Sequence, residues 1–142
     1  YTIHAGKSIP NIWSIGGFSL SENTAYACEP FVTTEQGGGF VRNGKIKNIF
    51  AINSRKKTKN EEADKLLNFI WENFNMLPFA LRWITKEWEE KKARELLDIL
   101  IKKKAVQAYP VLIEVNEQRV AQAEHTFIPT ESGVTVTTKA LA

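Results

Sequence analysis

Two glutamates stand where a carboxylate is unexpected. Glu29 closes the run Thr24-Ala25-Tyr26-Ala27-Cys28 and precedes Pro30, and Glu124 follows Ala121-Gln122-Ala123 and leads into His125-Thr126-Phe127-Ile128. An ionised carboxyl facing a core costs several kcal/mol unless it is paired, so such residues usually have a partner or a metal. Strand alternation leaves open that Glu124 points to solvent instead. His4 and His125 are the only imidazoles, and a single histidine fits a surface or satisfied core position as well as a ligand position. There is no Cys/His zinc spacing, no phosphate-cradling glycine loop and no Gly-x-Ser-x-Gly elbow. Gln36-Gly37-Gly38-Gly39 reads as a flexible break. Cys28 has no basic neighbour to lower its pKa and reads as strand packing.

The elements that must position these residues alternate in character. The first third carries short β-type runs broken by Ser8-Ile9-Pro10-Asn11, Gly16-Gly17 and the glycine run. Asn43-Gly44 lies between Phe40-Val41-Arg42 and Lys45–Ile52, the pattern of a two-residue hairpin turn. Thr58 with Glu61 three residues on has the spacing of a capping box. It would open a helix whose apolar stripe is Ala63, Leu66, Leu67, Ile70, Trp71 and Phe74. Pro78 suits the first turn of a second, shorter helix through Trp83. A third helix would carry Trp88, Ala93, Leu96, Leu97, Leu100 and Ile101, with Lys102-Lys103-Lys104 complementing its dipole or simply solvating its end. Strands return at Val111–Val115 and Arg119–Ile128 around the turn Asn116-Glu117-Gln118, and again at Val134–Thr138 after Glu131-Ser132-Gly133. Strands, helical stretch, strands: the pattern is α+β.

The 142 residues carry 19 Lys+Arg against 16 Asp+Glu, with 43% apolar and 25% charged residues. That composition excludes disorder and a disulfide scaffold, and a net charge of +3 does not by itself argue for nucleic acid. The lone Cys28 fits a reducing, cytoplasmic compartment, and no run of about 18 apolar residues is available to span a bilayer. The opening Tyr1-Thr2-Ile3-His4, without an initiator Met, leads us to expect that further sequence belongs upstream.

Five blocks taken in order are specific where each alone is weak: His4-Ala5-Gly6-Lys7-Ser8-Ile9-Pro10-Asn11, Tyr26-Ala27-Cys28-Glu29-Pro30-Phe31, Leu77-Pro78-Phe79-Ala80-Leu81-Arg82-Trp83, Tyr109-Pro110-Val111-Leu112 and Ala121-Gln122-Ala123-Glu124-His125-Thr126. In this order and spacing the chain resembles the type II methionine aminopeptidases. The resemblance implies the C-terminal portion of the pita-bread (creatinase/aminopeptidase) fold. Residues 1–57 and 109–142 would then be parts of the catalytic domain, and 58–108 the helical type II insertion. It also implies a metallopeptidase that removes the initiator methionine of nascent polypeptides with two divalent metal ions (Co, Mn, Fe(II) or Zn), which together polarise the scissile carbonyl. By resemblance Glu29 would bind one metal and Glu124 would bridge both. His4 would contact substrate and donate to the carbonyl oxygen as charge develops. Tyr109 would stand near the methionine pocket, with Pro78 and Ile49 beside it. The family's remaining metal ligands, two aspartates and a histidine, lie upstream of the matched blocks. The resemblance therefore implies an N-terminal half, as a separate chain or a missing segment, that completes the site.

Two rival readings belong to other classes. One is a non-catalytic relative of the same fold that binds RNA or protein; ribosome association is expected under the aminopeptidase reading itself. Such relatives lose metal ligands, whereas Glu29 and Glu124 are both present. The other takes the helices and following strands as a winged-helix-like nucleic-acid module, with Lys91, Lys92, Arg94 and Lys102–Lys104 as its charge. Glu87, Glu89, Glu90 and Glu95 dilute that charge.

Overall fold

The computed structural model describes residues 15–139. Its elements in chain order are β1 (Tyr26–Cys28), β2 (Phe31–Thr33), β3 (Val41–Ile52), α1 (Glu61–Phe74), β4 (Phe79–Ala80), α2 (Leu81–Ile84), α3 (Glu90–Lys102), β5 (Val106–Glu114), β6 (Val120–Gln122), β7 (His125–Thr130) and β8 (Gly133–Val136). The fold is mixed α and β. The strands form three small sheets, ordered β1-β7-β8, β2-β6 and β4-β3-β5. The described residues divide into two compact units, one holding residues 43–113 and the other residues 15–42 with 114–139. His4 lies outside the described residues.

The 43–113 unit contains the core. Helix α1 begins at Asn60, whose side chain accepts from the Ala63 N–H at 2.9 Å, and Glu61, Glu62 and Asp64 place negative charge at the dipole's positive end. Its stripe of Ala63, Leu66, Leu67 and Ile70 is buried. Helix α3 starts on Glu89, which accepts from the Lys91 and Lys92 N–H groups at 3.0 Å each, and buries Ala93, Leu96, Leu97 and Leu100. These two faces close over Phe50 and Ile52 of β3 and Val106 of β5. Each large apolar side chain so buried contributes roughly 1.5–3 kcal/mol. Phe79 stacks on Phe50 at 5.8 Å and on Phe74 at 5.5 Å, and Phe74 on Trp83 at 5.5 Å. The helices thus share one core with the ends of β3 and β5.

Three local expectations are corrected. Asn43-Gly44 does not turn: β3 runs through it, and Asn43 is not among the described residues of positive φ. A Cβ on Gly44 would lie 2.8 Å from the Val111 carbonyl oxygen, so this glycine serves the close approach of a neighbouring strand rather than a bend. The N-cap is Asn60 and not Thr58. Thr58 is buried, its hydroxyl donates to Asp64 Oδ1 at 2.8 Å and accepts from the Asn60 N–H at 3.1 Å. Pro78 precedes the bridge Phe79–Ala80, which pairs with Ile49 and Phe50 of β3, and the short helix begins only at Leu81.

Candidate functional site

The second unit holds both suspicious glutamates, and its strand pairing decides how they face one another. Strands β1 and β7 are antiparallel with Tyr26 opposite Phe127, Ala27 opposite Thr126 and Cys28 opposite His125. Strands β2 and β6 are antiparallel with Phe31 opposite Gln122, Val32 opposite Ala121 and Thr33 opposite Val120. The two ladders share one register, and the residues left between them are Glu29-Pro30 on one side and Ala123-Glu124 on the other. Continuing that register sets Glu29 opposite Glu124 and Pro30 opposite Ala123. The Ala123 N–H donates to the Pro30 carbonyl at 3.3 Å, which holds the intervening rungs together. Pro30 has no N–H to return, and this is where the ladder is interrupted.

Directly opposed residues of an antiparallel pair present their side chains on the same face, with Cβ atoms about 4.5–5.5 Å apart. Glu29 and Glu124 are therefore two carboxylates set against each other on one exposed face. Like charges so placed destabilise the sheet unless something positive lies between them. On the same face, diagonal to Glu124's partner, Gln122 Nε2 donates to Glu29 Oε2 at 3.2 Å. His125 belongs to the alternate face. Its Nδ1 lies 3.1 Å from the Thr138 hydroxyl, which also accepts from the Thr126 N–H at 2.9 Å. Cys28, opposite His125, is exposed rather than packed in a core. Two carboxylates so placed are hard oxygen donors, a chemistry that fits a divalent cation. Among the described residues no cluster of three or more His, Cys, Asp or Glu is gathered.

Tyr109, Ile49 and Pro78 belong to the 43–113 unit. Ile49 lies in β3 opposite Ala80 of β4, Pro78 directly precedes β4, and Tyr109 is half-buried in β5, on the other side of β3 from β4. The Gln107 side-chain amide, two residues away and on the same face of β5, donates to the Tyr109 hydroxyl. That leaves the phenol anchored at its polar end.

Glu114 is a carboxylate the sequence reading missed. It is 3% exposed and accepts backbone N–H bonds from Gly38 at 2.5 Å, Asn116 at 2.7 Å and Gln118 at 3.2 Å. Burial alone would push its pKa up, but the N–H groups of Gln118, Asn116, Gly38 and Gly39 outweigh that and hold the carboxyl below its ordinary value. The glycine run read as a flexible break is thus a docking point. A Cβ on Gly38 would sit 2.4 Å from Val115 Cγ1, so a side chain here would have to displace Val115 beside the carboxylate. Thr34 Oγ1 to Gln118 Oε1 at 3.3 Å, Asn116 Nδ2 to the Gln36 carbonyl at 3.2 Å and Arg42 to Glu117 at 2.6 Å tie the same two turns. The available signal was an acid interrupting the apolar run Val111-Leu112-Ile113 and Val115 just before the polar Asn116-Glu117-Gln118.

No protein-family model matches the chain. Among curated proteins, the methionine aminopeptidase of Methanocaldococcus jannaschii is 38% identical over 139 residues, 98% of this chain and 46% of the relative. That of Saccharolobus solfataricus is 38% identical over 144 residues, covering 99% and 47%. That of Thermococcus kodakarensis is 37% identical over 139 residues, covering 97% and 46%. The chain spans about half the length of the curated relatives it matches. Among solved structures, a thermophilic Arx1 superposes with a TM-score of 0.67 at 18% identity, over 79% of this chain and 29% of that one. That likeness shows a shared fold.

Proposed function

From its relationship to the methionine aminopeptidases, which runs through nearly the whole chain, we infer that this polypeptide forms the C-terminal part of such an enzyme. The enzyme would be a metallopeptidase removing the initiator methionine from newly made proteins. In this reading the chain carries the C-terminal portion of the pita-bread fold with a type II helical insertion. The observation that carries it is the shared register of β1-β7 and β2-β6, which sets Glu29 against Glu124.

Two divalent ions bound there would supply Lewis-acid polarisation of the scissile carbonyl. Glu29 and Glu124 would hold them, Glu124 as the bridge. Gln122, which donates to Glu29 Oε2, would help orient that carboxylate toward the metal. His4 would donate a hydrogen bond to the substrate carbonyl oxygen, and Tyr109 with Ile49 and Pro78 would wall the methionine side chain. The remaining ligands come from the part of the relatives' length that this chain does not span, so activity requires that part.

The test is metal-dependent release of methionine from a Met-Ala or Met-Gly peptide. The chain alone is expected to be inactive. The chain joined or paired with an N-terminal half built on the relatives is expected to be active with Co²⁺ or Mn²⁺ and silenced by Glu124→Gln. His4→Ala is expected to lower kcat and leave metal content unchanged. An assembled enzyme that binds metal but releases no methionine would overturn this reading and favour the non-catalytic RNA- or protein-binding relative.

A further inference from the structure

Granting the peptidase reading, on which this inference rests, we propose that Gln107 is a positioning residue: it sets the lean of the Tyr109 ring and so the fit of the methionine pocket. In β5, Val106 is buried in the core and Ala108 packs against it. The alternate residues Gln107 and Tyr109 therefore stand on the face turned away from the helices. On the neighbouring strand β3, Phe50 and Ile52 belong to the core, which puts Ile49 on that same outer face. Gln107, Tyr109 and Ile49 thus share one face of adjoining strands.

The backbone beneath the ring is fixed already. Pro110 follows Tyr109 within β5 and confines it to extended φ and ψ. What remains free is the tilt of the side chain. Side chains standing upright on alternate strand residues are about 6.5–7 Å apart, so a bond between their tips requires the two to lean together. The Gln107 amide donates to the Tyr109 hydroxyl and has no other hydrogen-bond partner among the described residues. Both residues are only half-buried, so water can serve either polar group, and losing the bond should cost the fold little. Its effect is local: the ring is drawn along β5 toward Gln107 and held there. A ring free to swing spends part of its time off the substrate's side chain, and apparent affinity falls by the fraction lost. Contacts to the methionine side chain are alike before and during bond cleavage, so the loss belongs to KM and not to kcat.

Two measurements test this. The first uses the full chain alone, labelled with 3-fluorotyrosine and observed by fluorine NMR. Tyr109 is one of three tyrosines and is assigned by its disappearance in Tyr109→Phe. Gln107→Leu should move its signal toward that of free fluorotyrosine, whereas Gln107→Glu, whose carboxylate accepts from the phenol, should keep it displaced. The second is steady-state hydrolysis of Met-Ala by the chain paired with its N-terminal half. Gln107→Leu should raise KM roughly 2–10-fold, the worth of one neutral hydrogen bond, with kcat, bound Mn²⁺ and thermal midpoint unchanged. Tyr109→Phe should do the same, and the double variant no more than either single. Gln107→Glu should hold KM near the wild-type value. A lowered kcat at unchanged KM, additive losses in the double, or a Tyr109 signal unmoved by Gln107→Leu would overturn the proposal and leave the peptidase reading in place. A wild-type assembly that binds Mn²⁺ and releases no methionine would instead overturn the peptidase reading, and this inference with it.

Discussion

If Glu29 and Glu124 oppose each other, removing one charge should stabilise the metal-free chain. With their Cβ atoms about 5 Å apart and both side chains exposed, Coulomb repulsion at the dielectric of water is about 0.8 kcal/mol. Glu124→Gln deletes that repulsion and lets the new amide face Glu29 as a donor. For a chain of this size the gain corresponds to a rise in the unfolding midpoint of roughly 2–3 °C. Screening supplies the internal control. The Debye length is about 30 Å at 0.01 M salt and about 3 Å at 1 M, so the gain should be present in the first and nearly absent in the second. Glu131→Gln removes an equal charge from an exposed turn and should give no comparable gain. The assay is thermal unfolding followed by circular dichroism, on protein stripped with chelator, at both salt concentrations. A Glu124→Gln variant less stable than wild type at low salt, or a gain that persists undiminished at 1 M, would refute the opposition.

Glu114 makes stability depend on acid. Its folded pKa lies below the unfolded value, so its contribution is complete above the unfolded carboxyl range and is lost as pH falls through the depressed folded value. Urea midpoints measured from pH 7 downward should therefore fall less steeply in Glu114→Gln than in wild type, with the variant less stable at pH 7. Gly44→Ala should destabilise by about 1–3 kcal/mol, the usual cost of overpacking, because the Val111 carbonyl 2.8 Å from the new methyl is backbone and cannot yield. Hydrogen exchange should localise the damage to β3 and β5. Unaltered exchange there would contradict the close-approach explanation.

What the sequence made legible follows from which forces are local. The stripes Ala63–Leu66–Leu67–Ile70 and Ala93–Leu96–Leu97–Leu100 repeat at helical spacing, and they are the buried faces of α1 and α3. The turn at 131–133 is likewise where the chain reverses between β7 and β8. Errors arose where a residue type has two uses. Gly44 could serve a turn or a close strand contact, and only the neighbouring Val111 carbonyl chooses between them. Thr58 and Asn60 are both capping residues, and the choice of Asn60 depends on Thr58 being drawn inward to Asp64. Glu114 was overlooked because its partners, Gly38 and Gly39 among them, are backbone groups from a distant turn that no side-chain pattern reports. Glu29 and Glu124 were singled out as misplaced charges. That they oppose each other required two ladders sharing one register across the break at Pro30.

The most direct measurement of the metal reading is a double-mutant cycle in Mn²⁺ affinity, read by electron paramagnetic resonance of free Mn²⁺ against the assembled enzyme. Glu29→Gln, Glu124→Gln and the two together are titrated alongside wild type. If both carboxylates hold the same ions, either single change should weaken binding nearly as much as the pair, leaving a large coupling between them. Losses that simply add would mean that the two glutamates act at separate places.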